Sequence, residues 1–480
     1  MISDIKPFKM IDNLYFVGSY RASCHMLATS EGLILIDTGY PGDGEALKES
    51  IEALGFSVKD VKIIIHSHGH NDHSGATAEI VKMSGAKTYL NFNDKKYIKD
   101  FEIDFDIKDG DVIRLGKTEI KALHTPGHTE GTVSLFFDVK ENEKTYRAGT
   151  FGGAGTNQLK KAFMRAKSVN YLYRGEFYKS IERLKGERVD LFIGNHSWQN
   201  DTKGKAELIG KSELNPFLDS SAFSKFLDKL INKLDQVIEA DQKIDFVNYA
   251  HRGASQYRPE NTMISFRLGL EQGANGIETD VHITKDGVAV LFHDHTIDRV
   301  TNGKGNVTDY TYGELLGFDV TKGEYKAKIP TFREFLDEFA DRDITFAIEL
   351  KQLGAAEAVI DILREYDLAQ KTVITSFNYD ELKRAASYGK EFRFGHLTSD
   401  VSEAHTLELI ADKISEICPK AALVMEDPSL VAKWHKLGLN VRVWGVSNEE
   451  IMRGVLDAGV DGMTVNFPDK LSTLLKERGF

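Results

Sequence analysis

The sequence predicts two α/β domains in series, the second of them a (β/α)8 barrel. Three observations carry that reading. The second half holds a row of eight short apolar segments, the middle holds one long run of apolar residues at steps of three and four, and the first half passes from short strands to alternating strands and helices. A length of 480 residues is ample for two cores at about 100–200 residues per domain.

In the first half, Leu14–Val17, His25–Ala28 and Gly32–Asp37 read as short strands broken by turns. An amphipathic stretch at 45–54 then precedes the apolar run Val61–Ile65, which leads directly into a cluster of histidines. Between 215 and 240, Phe223, Phe226, Leu227, Leu230, Ile231, Leu234, Val237 and Ile238 repeat at helical spacing. The polar run Glu239–Lys243 follows, so the division is drawn there: residues 1–240 form one domain and 246–480 the other. Beyond it, apolar segments at 246–250, 276–283, 345–350, 372–376, 393–397, 421–425, 440–446 and 462–465 supply eight barrel strands. A ninth run, Val288–Phe292, follows Lys285-Asp286-Gly287 too closely for a parallel crossover and is assigned to a hairpin.

A formal net charge of −12 excludes the basic footprint of a nucleic-acid-binding protein, so any phosphate recognition must be local. The two cysteines, Cys24 and Cys418, fall in different domains and are expected as buried small hydrophobes in a reducing compartment. The N-terminal stretch lacks an apolar region behind a basic start, and no segment is long enough to span a bilayer. The expectation is a soluble cytoplasmic protein acting on a small molecule, its oligomeric state left open.

In the barrel, Glu278 and Asp280 lie two apart on a strand and therefore share a face, here the mouth. Glu349 and Lys351 repeat the arrangement on the next strand. Three converging carboxylates repel unless a hard divalent cation lies between them, and oxygen ligands suit Mg2+ or Ca2+. His251 and His293 fall just past strand ends, where barrel active sites are built, and one of them is expected as base, the other as acid. Arg252 and Lys351 would meet the charge developing on a phosphate.

These residues stand in motifs whose order resembles the glycerophosphodiester phosphodiesterase family. They are His251-Arg252-Gly253, Pro259-Glu260-Asn261-Thr262, Glu278-Thr279-Asp280-Val281, Thr284-Lys285-Asp286-Gly287, His293-Asp294, Asn302-Gly303-Lys304-Gly305 and Ile348-Glu349-Leu350-Lys351. The resemblance covers roughly 246–480. It implies that Glu278, Asp280 and Glu349 bind the metal, that His251 and His293 carry protons, that Trp444 lines the pocket, and that a glycerol phosphodiester yields glycerol 3-phosphate and an alcohol. One departure is Val465-Asn466-Phe467-Pro468, where such enzymes commonly carry Thr-Asp-x-Pro. It is expected to touch no metal or proton-transfer residue and to alter only the pocket. His282, His295, His396, His405 and His435 are read as structural.

In the first half, His68, His70, Asp72 and His73 occupy one loop after a strand, a donor set suited to zinc or a similar transition metal. One loop cannot close two shells, and His128 and His196 can complete them. A metal pair would lower the pKa of a water for attack on an electrophile. This pattern, with Leu35-Ile36-Asp37-Thr38-Gly39, resembles the metallo-β-lactamase fold superfamily over about 1–240, which implies an αββα sandwich. Carried across, His68, His70 and His128 would bind one metal, and Asp72, His73 and His196 the other. Thr150 stands where many members place a bridging aspartate, which is similar to the lactamase subclass whose metals are bridged by hydroxide alone. His66 and His124 are read as packing residues or as supports behind the ligands, and His25 as structural.

The expectation is therefore a two-domain metal-dependent hydrolase: a dinuclear metallohydrolase joined to a barrel phosphodiesterase. Two rivals are kept. One is a lactamase or lactonase whose barrel is an accessory phosphate-binding module, and the other gives the N-terminal domain a non-catalytic interaction role.

Overall fold

The computed structural model describes residues 5–480 apart from 142 and 168; the first four residues of the N-terminal stretch read above lie outside the described residues. The chain divides into two compact units, one of residues 1–159 and 176–235, the other of residues 160–175 and 236–480.

Among the described residues, the first unit has a sheet of seven strands in sequence order. Phe8–Ile11, Leu14–Phe16, His25–Thr29 and Gly32–Ile36 run antiparallel; Val61–Ile65, Lys87–Leu90 and Phe105–Asp106 continue the sheet in parallel. Alternation along Gly32–Ile36 decides the layers. Ile34 and Ile36 point to one face, where they pack with Ile120, Ala122, Leu135 and Phe137 of a second, five-stranded sheet. Leu33 and Leu35 point to the other, against Leu47 and Ile51 of helix Gly44–Ala53 and Ile80 of helix Thr77–Ser84. Phe136 and Phe192, on the outer face of the second sheet, stack against Phe223 at the start of helix Ala222–Asp245. The order of layers is helix, sheet, sheet, helix.

The second unit is a closed barrel of eight parallel strands: Val247–His251, Gly276–Ile283, Thr345–Leu350, Thr372–Ser376, Arg393–Thr398, Glu416–Pro419, Asn440–Val443 and Gly462–Val465. Closure comes from Val247–His251, which pairs with both Gly276–Ile283 and Gly462–Val465. Helices cover the barrel, and apolar side chains such as Phe266, Phe335, Ile360 and Leu474 fill the space between the two layers. The run at 288–292 forms the strand Ala289–Leu291, antiparallel to Gly276–Ile283, as a hairpin. One strand differs from the reading of the sequence. The run at 421–425 is helical, in Ala421–Glu426, and the sixth strand is Glu416–Pro419. Alanine, leucine and methionine favour helix, while the true strand escapes notice because it opens on a buried Glu416 whose charge Arg442 neutralises inside the barrel. The polar run Glu239–Lys243 is helical too, part of Ala222–Asp245.

No helix of the described residues is long and apolar enough to cross a membrane. Cys24 and Cys418 are both buried and free.

Candidate functional site

The barrel strands bring Glu278, Asp280 and Glu349 together at their C-terminal ends. All three are buried, and their ligand oxygens lie within 4.8 Å of one another. Such packing of like charge shifts protonation. Burial, Asp280 and Glu349 raise the Glu278 carboxyl well above its ordinary value, and burial with Asp280 pushes Glu349 up to about 7. Burial also works against ionisation of Asp280, but Arg252, Lys351 and His293 outweigh it and hold its carboxyl below the usual range. Asp280 Oδ1 is buried without a hydrogen-bond partner among the described residues. An orphaned acceptor among three converging carboxylates fits a hard cation.

The flanking residues are fixed by the chain around them. Arg252 and Asn261 both adopt left-handed backbone, with φ of +54° each, and are tied together by Asn261 N–H donating to Arg252 C=O at 3.0 Å. That turn aims Asn261 Nδ2 at Asp280, 2.8 Å away, and sets Arg252 between Asp280 (3.2 Å) and Glu260 (2.8 Å). Lys351 Nζ reaches Glu349 at 2.7 Å and Asp280 at 3.6 Å. His251 and His293 both line a cavity of about 340 Å3 with Arg252, Glu278 and Glu349. Its far wall is aromatic: Phe377 meets Trp444 edge-on at 5.2 Å, and Trp444 is anchored by Nε1 donating to Cys418 C=O at 3.0 Å.

The two imidazoles have different partners. His293 donates from Nδ1 to Asp294 at 2.6 Å, and Asp294 is itself held by Arg299 at 2.6 Å. His251 Nδ1 lies 2.5 Å from Asn466 Oδ1, which also accepts from Ser255 Oγ at 3.0 Å. This overturns the expectation that the departure at 465–468 touches no proton-transfer residue: strand Gly462–Val465 ends beside Val247–His251, so the residue after it faces His251 directly. Burial and Arg252 lower His251 to about 4, a neutral imidazole.

In the first unit the strand Val61–Ile65 delivers its loop to the sheet edge, where the ligand atoms of His68, His70 and His128 lie within 4.8 Å of one another, as do those of His68, Asp72 and His73. His196 joins through Nε2, 3.8 Å from Asp72, and its Nδ1 donates to Arg21 C=O. Burial lowers His68 and His70, and takes His128 down to about 3, so these imidazoles are in the ligating form. Burial would lower His73 too, but Asp37 and Asp72 outweigh it and push it up to about 9. Nε2 of His68 and of His73 is buried without a hydrogen-bond partner among the described residues, that of His73 lying 3.4 Å from Asp72 Oδ2, a donor set that fits a metal ion. Thr150 is buried, its N–H spent on Leu135 C=O.

Other residues support this loop, of which only Asp37 stood in a sequence motif. Asp37 accepts from His73 Nδ1 (2.8 Å), Ser67 N–H (2.7 Å) and Ser67 Oγ (2.7 Å), orienting the loop from behind. Asp94 braces it with bonds from Gly69 N–H, Gly131 N–H and Thr129 Oγ1. Gly153 and Gly155 let the following loop close on His128, since a Cβ at either would lie under 3.0 Å from the ring. The adjacency His293-Asp294 was the signal for Asp294, and Pro259-Glu260-Asn261-Thr262 for Glu260 and Asn261; Arg299 carried none. Among the histidines given no catalytic or ligand role, His396 pairs with His405 (2.8 Å), His435 with Asp461 (2.7 Å), His66 with Thr77 (2.8 Å) and His124 with Glu130 C=O (2.7 Å).

Comparison with known proteins matches residues 251–470 to the glycerophosphoryl diester phosphodiesterase family and residues 18–141 to the metallo-beta-lactamase superfamily. A glycerophosphodiester phosphodiesterase of Caldanaerobacter subterraneus subsp. tengcongensis is 35% identical over 240 residues, which is 48% of this chain and 98% of that protein. Bacillus subtilis (strain 168) YqiK, named only as an uncharacterized protein, is 34% identical over 237 residues with the same coverage. Among solved structures, the FEZ-1 metallo-beta-lactamase of Legionella gormanii aligns with a TM-score of 0.47 and 27% identity over 50% of this chain and 98% of that one. BJP-1, a subclass B3 metallo-beta-lactamase of Bradyrhizobium japonicum, aligns at 0.46 and 26%, over 50% and 96%. The chain belongs to the glycerophosphodiester phosphodiesterase family, as a hydrolase whose barrel is joined to a metallo-β-lactamase-fold domain.

Proposed function

We propose that the barrel hydrolyses glycerophosphodiesters to glycerol 3-phosphate and an alcohol, with His251 as general base and His293 as general acid. The observation that carries this is a pair of imidazoles with unlike partners on one cavity beside three buried carboxylates. An amide oxygen on His251 Nδ1 fixes the hydrogen there and leaves Nε2 with its lone pair free to take a proton from the attacking hydroxyl. Burial, with Arg252 and Lys351, lowers His293, while the carboxylates of Asp280 and of Asp294 on Nδ1 pull toward the imidazolium; that protonated ring would give its Nε2 proton to the leaving alkoxide as the phosphorus–oxygen bond breaks. Glu278, Asp280 and Glu349 would hold Mg2+ or Ca2+, which when bound neutralises charge on the non-bridging phosphate oxygens. Arg252 and Lys351 add positive charge on the same side, and the Phe377–Trp444 wall receives the apolar part of the substrate. Full-length protein incubated with glycerophosphocholine should release glycerol 3-phosphate, and stop when the divalent ion is chelated. Absence of that release would overturn the proposal.

For the N-terminal domain we propose a dinuclear zinc-type hydrolase, its substrate open, with His68, His70 and His128 holding one ion and Asp72, His73 and His196 the other. Such a pair supplies a water acidified for attack. The reading rests on the ligating imidazoles and the orphaned Nε2 atoms of His68 and His73. Elemental analysis of the full-length protein should find two transition-metal equivalents that are lost when His68 is replaced by alanine; finding none would favour a non-catalytic role. We take residues 1–240 and 246–480 as the two domains, with 160–175 as an addition to the barrel, and assign the protein to a reducing compartment, which suits two free cysteines.

A further inference from the structure

The opposite end of the barrel carries a second polar cavity, of about 280 Å3, formed where strands begin. Arg393, Glu416 and Gly462, the first residues of their strands, line it together with Asn440, Lys371, and Lys161, Arg165 and Tyr171 from the segment 160–175. It opens to solvent beside the exposed Ile244 and Asp343.

Most charges in this cavity are already matched. Lys161 reaches Asp461 at 2.7 Å, Arg165 reaches Asp245 at 2.9 Å, and Arg442 reaches Glu416 at 2.9 Å. Against five cations the cavity sets four carboxylates, the fourth being the exposed Asp343, so one positive charge is in excess. Lys371 donates to the carbonyls of Ala340 and Arg342, which satisfies its hydrogens but not its charge. Arg393 packs its guanidinium over the Tyr171 ring at 5.6 Å, and its Nε is buried with no hydrogen-bond partner among the described residues. Tyr171 Oη, on a side chain 4% exposed, is likewise without one. Buried donors without acceptors are costly, so a guanidinium and a hydroxyl left open on one cavity call for an acceptor that brings negative charge. Guanidinium geometry matches phosphate oxygens in pairs, and the cavity, just below the roughly 300–1,000 Å3 of drug-sized sites, suits a small ion.

We propose that this basal cavity binds a small dianionic phosphate, either inorganic phosphate or a phosphate monoester, through Arg393 and Tyr171. Bacillus subtilis YqiK and the Caldanaerobacter enzyme are matched over 98% of their length by 237 and 240 residues of this chain, which leaves no length in those two for a counterpart of the segment that supplies Tyr171. An anion held between Tyr171 and Arg393 would pin that segment to the strand ends.

Titration calorimetry on the full-length holoprotein tests this, with inorganic phosphate in one arm and glycerol 3-phosphate in the other. The expected isotherm contains a component that persists in Arg252→Ala, which alters the opposite mouth, and weakens about tenfold or more in Arg393→Met, the worth of a lost charge-assisted hydrogen bond. Tyr171→Phe, which removes one oxygen, should weaken the same component and serves if Arg393→Met does not fold. Turnover without added phosphate should stay at the parent level in both basal variants. Binding of the free ion alone or of the monoester alone identifies the occupant. Isotherms unchanged in both basal variants, or lost entirely in Arg252→Ala, would overturn the proposal.

Discussion

Replacing Asn466 by aspartate places a carboxylate where an amide oxygen now sits, 2.5 Å from His251 Nδ1. With charge centres about 4 Å apart and an effective dielectric near 20, the attraction for an imidazolium is about 4 kcal/mol. Competing carboxylates and partial exposure of His251 reduce that, so a rise of about 1–2 pKa units is the working figure, each unit being about 1.4 kcal/mol. The sign follows from the role. His251 must be neutral to accept a proton, and burial with Arg252 holds it down at about 4. Raising it shifts the acid limb of the kcat/KM profile for glycerophosphocholine upward by the same one to two units, while the alkaline limb, which reports the acid, stays near its place. The assay is a full pH–rate profile of parent and variant at saturating divalent ion. An acid limb that does not move, or moves downward, would show that residue 466 does not govern the proton acceptor and would sink the assignment of base and acid.

Other outcomes follow from the same geometry. His293→Ala should lower kcat by about 10²–10⁴-fold with little change in KM, read from initial rates; Glu278→Gln should instead cost the bound divalent ion, read by elemental analysis alongside turnover. Asp37→Asn keeps the size of the side chain but weakens the bond that orients His73, and should reduce retention of the second transition metal by about 10–100-fold in a chelator competition. At the barrel base, burial opposes ionisation of Asp461, yet His435 and Lys161 outweigh it and hold its carboxyl well below the usual range. A group with a depressed folded pKa stabilises fully above its unfolded value near 3.9 and loses that contribution as pH falls below it. Asp461→Asn should therefore cost about 3–5 kcal/mol at neutral pH by leaving Lys161 unpaired, and flatten the acid side of a urea-stability profile.

Much of the fold was legible because period and burial coincide. Leu33–Ile36 is buried along its whole length and reads as one apolar run, and Ile34 with Ile36 on one face against Leu33 with Leu35 on the other are what a strand between a sheet and a helix requires. Glu416–Pro419 was illegible for the converse reason. Its buried charge is compensated by Arg442, 26 positions on, and a lone sequence does not reveal that pairing. The donor groups that the fold brings together were legible as residue types, on strands in the barrel and on a loop after a strand in the first unit. What stood out less was the layer behind them: Asp37, Asp94, Glu260 and Arg299 act through partners 5 to 39 positions away, a separation that only the folded chain closes.

That hidden layer is where the two histidines of the barrel acquire different jobs. In sequence His251 and His293 are interchangeable, each just past a strand end, and the expectation could name a base and an acid without saying which was which. The fold sets an amide oxygen behind one and a carboxylate behind the other, at 2.5 Å and 2.6 Å. At such range the partner's charge biases the protonation state, because a charge-assisted hydrogen bond is roughly twice as strong as a neutral one, and on His293 that bias works against the lowering by burial. The amide is also the one departure from the family's usual Thr-Asp-x-Pro, so a residue set aside as a pocket detail becomes the feature that separates this chain's proton acceptor from that of relatives with aspartate there. On this argument such relatives have the higher acid limb, and Asn466→Asp in this chain should reproduce it.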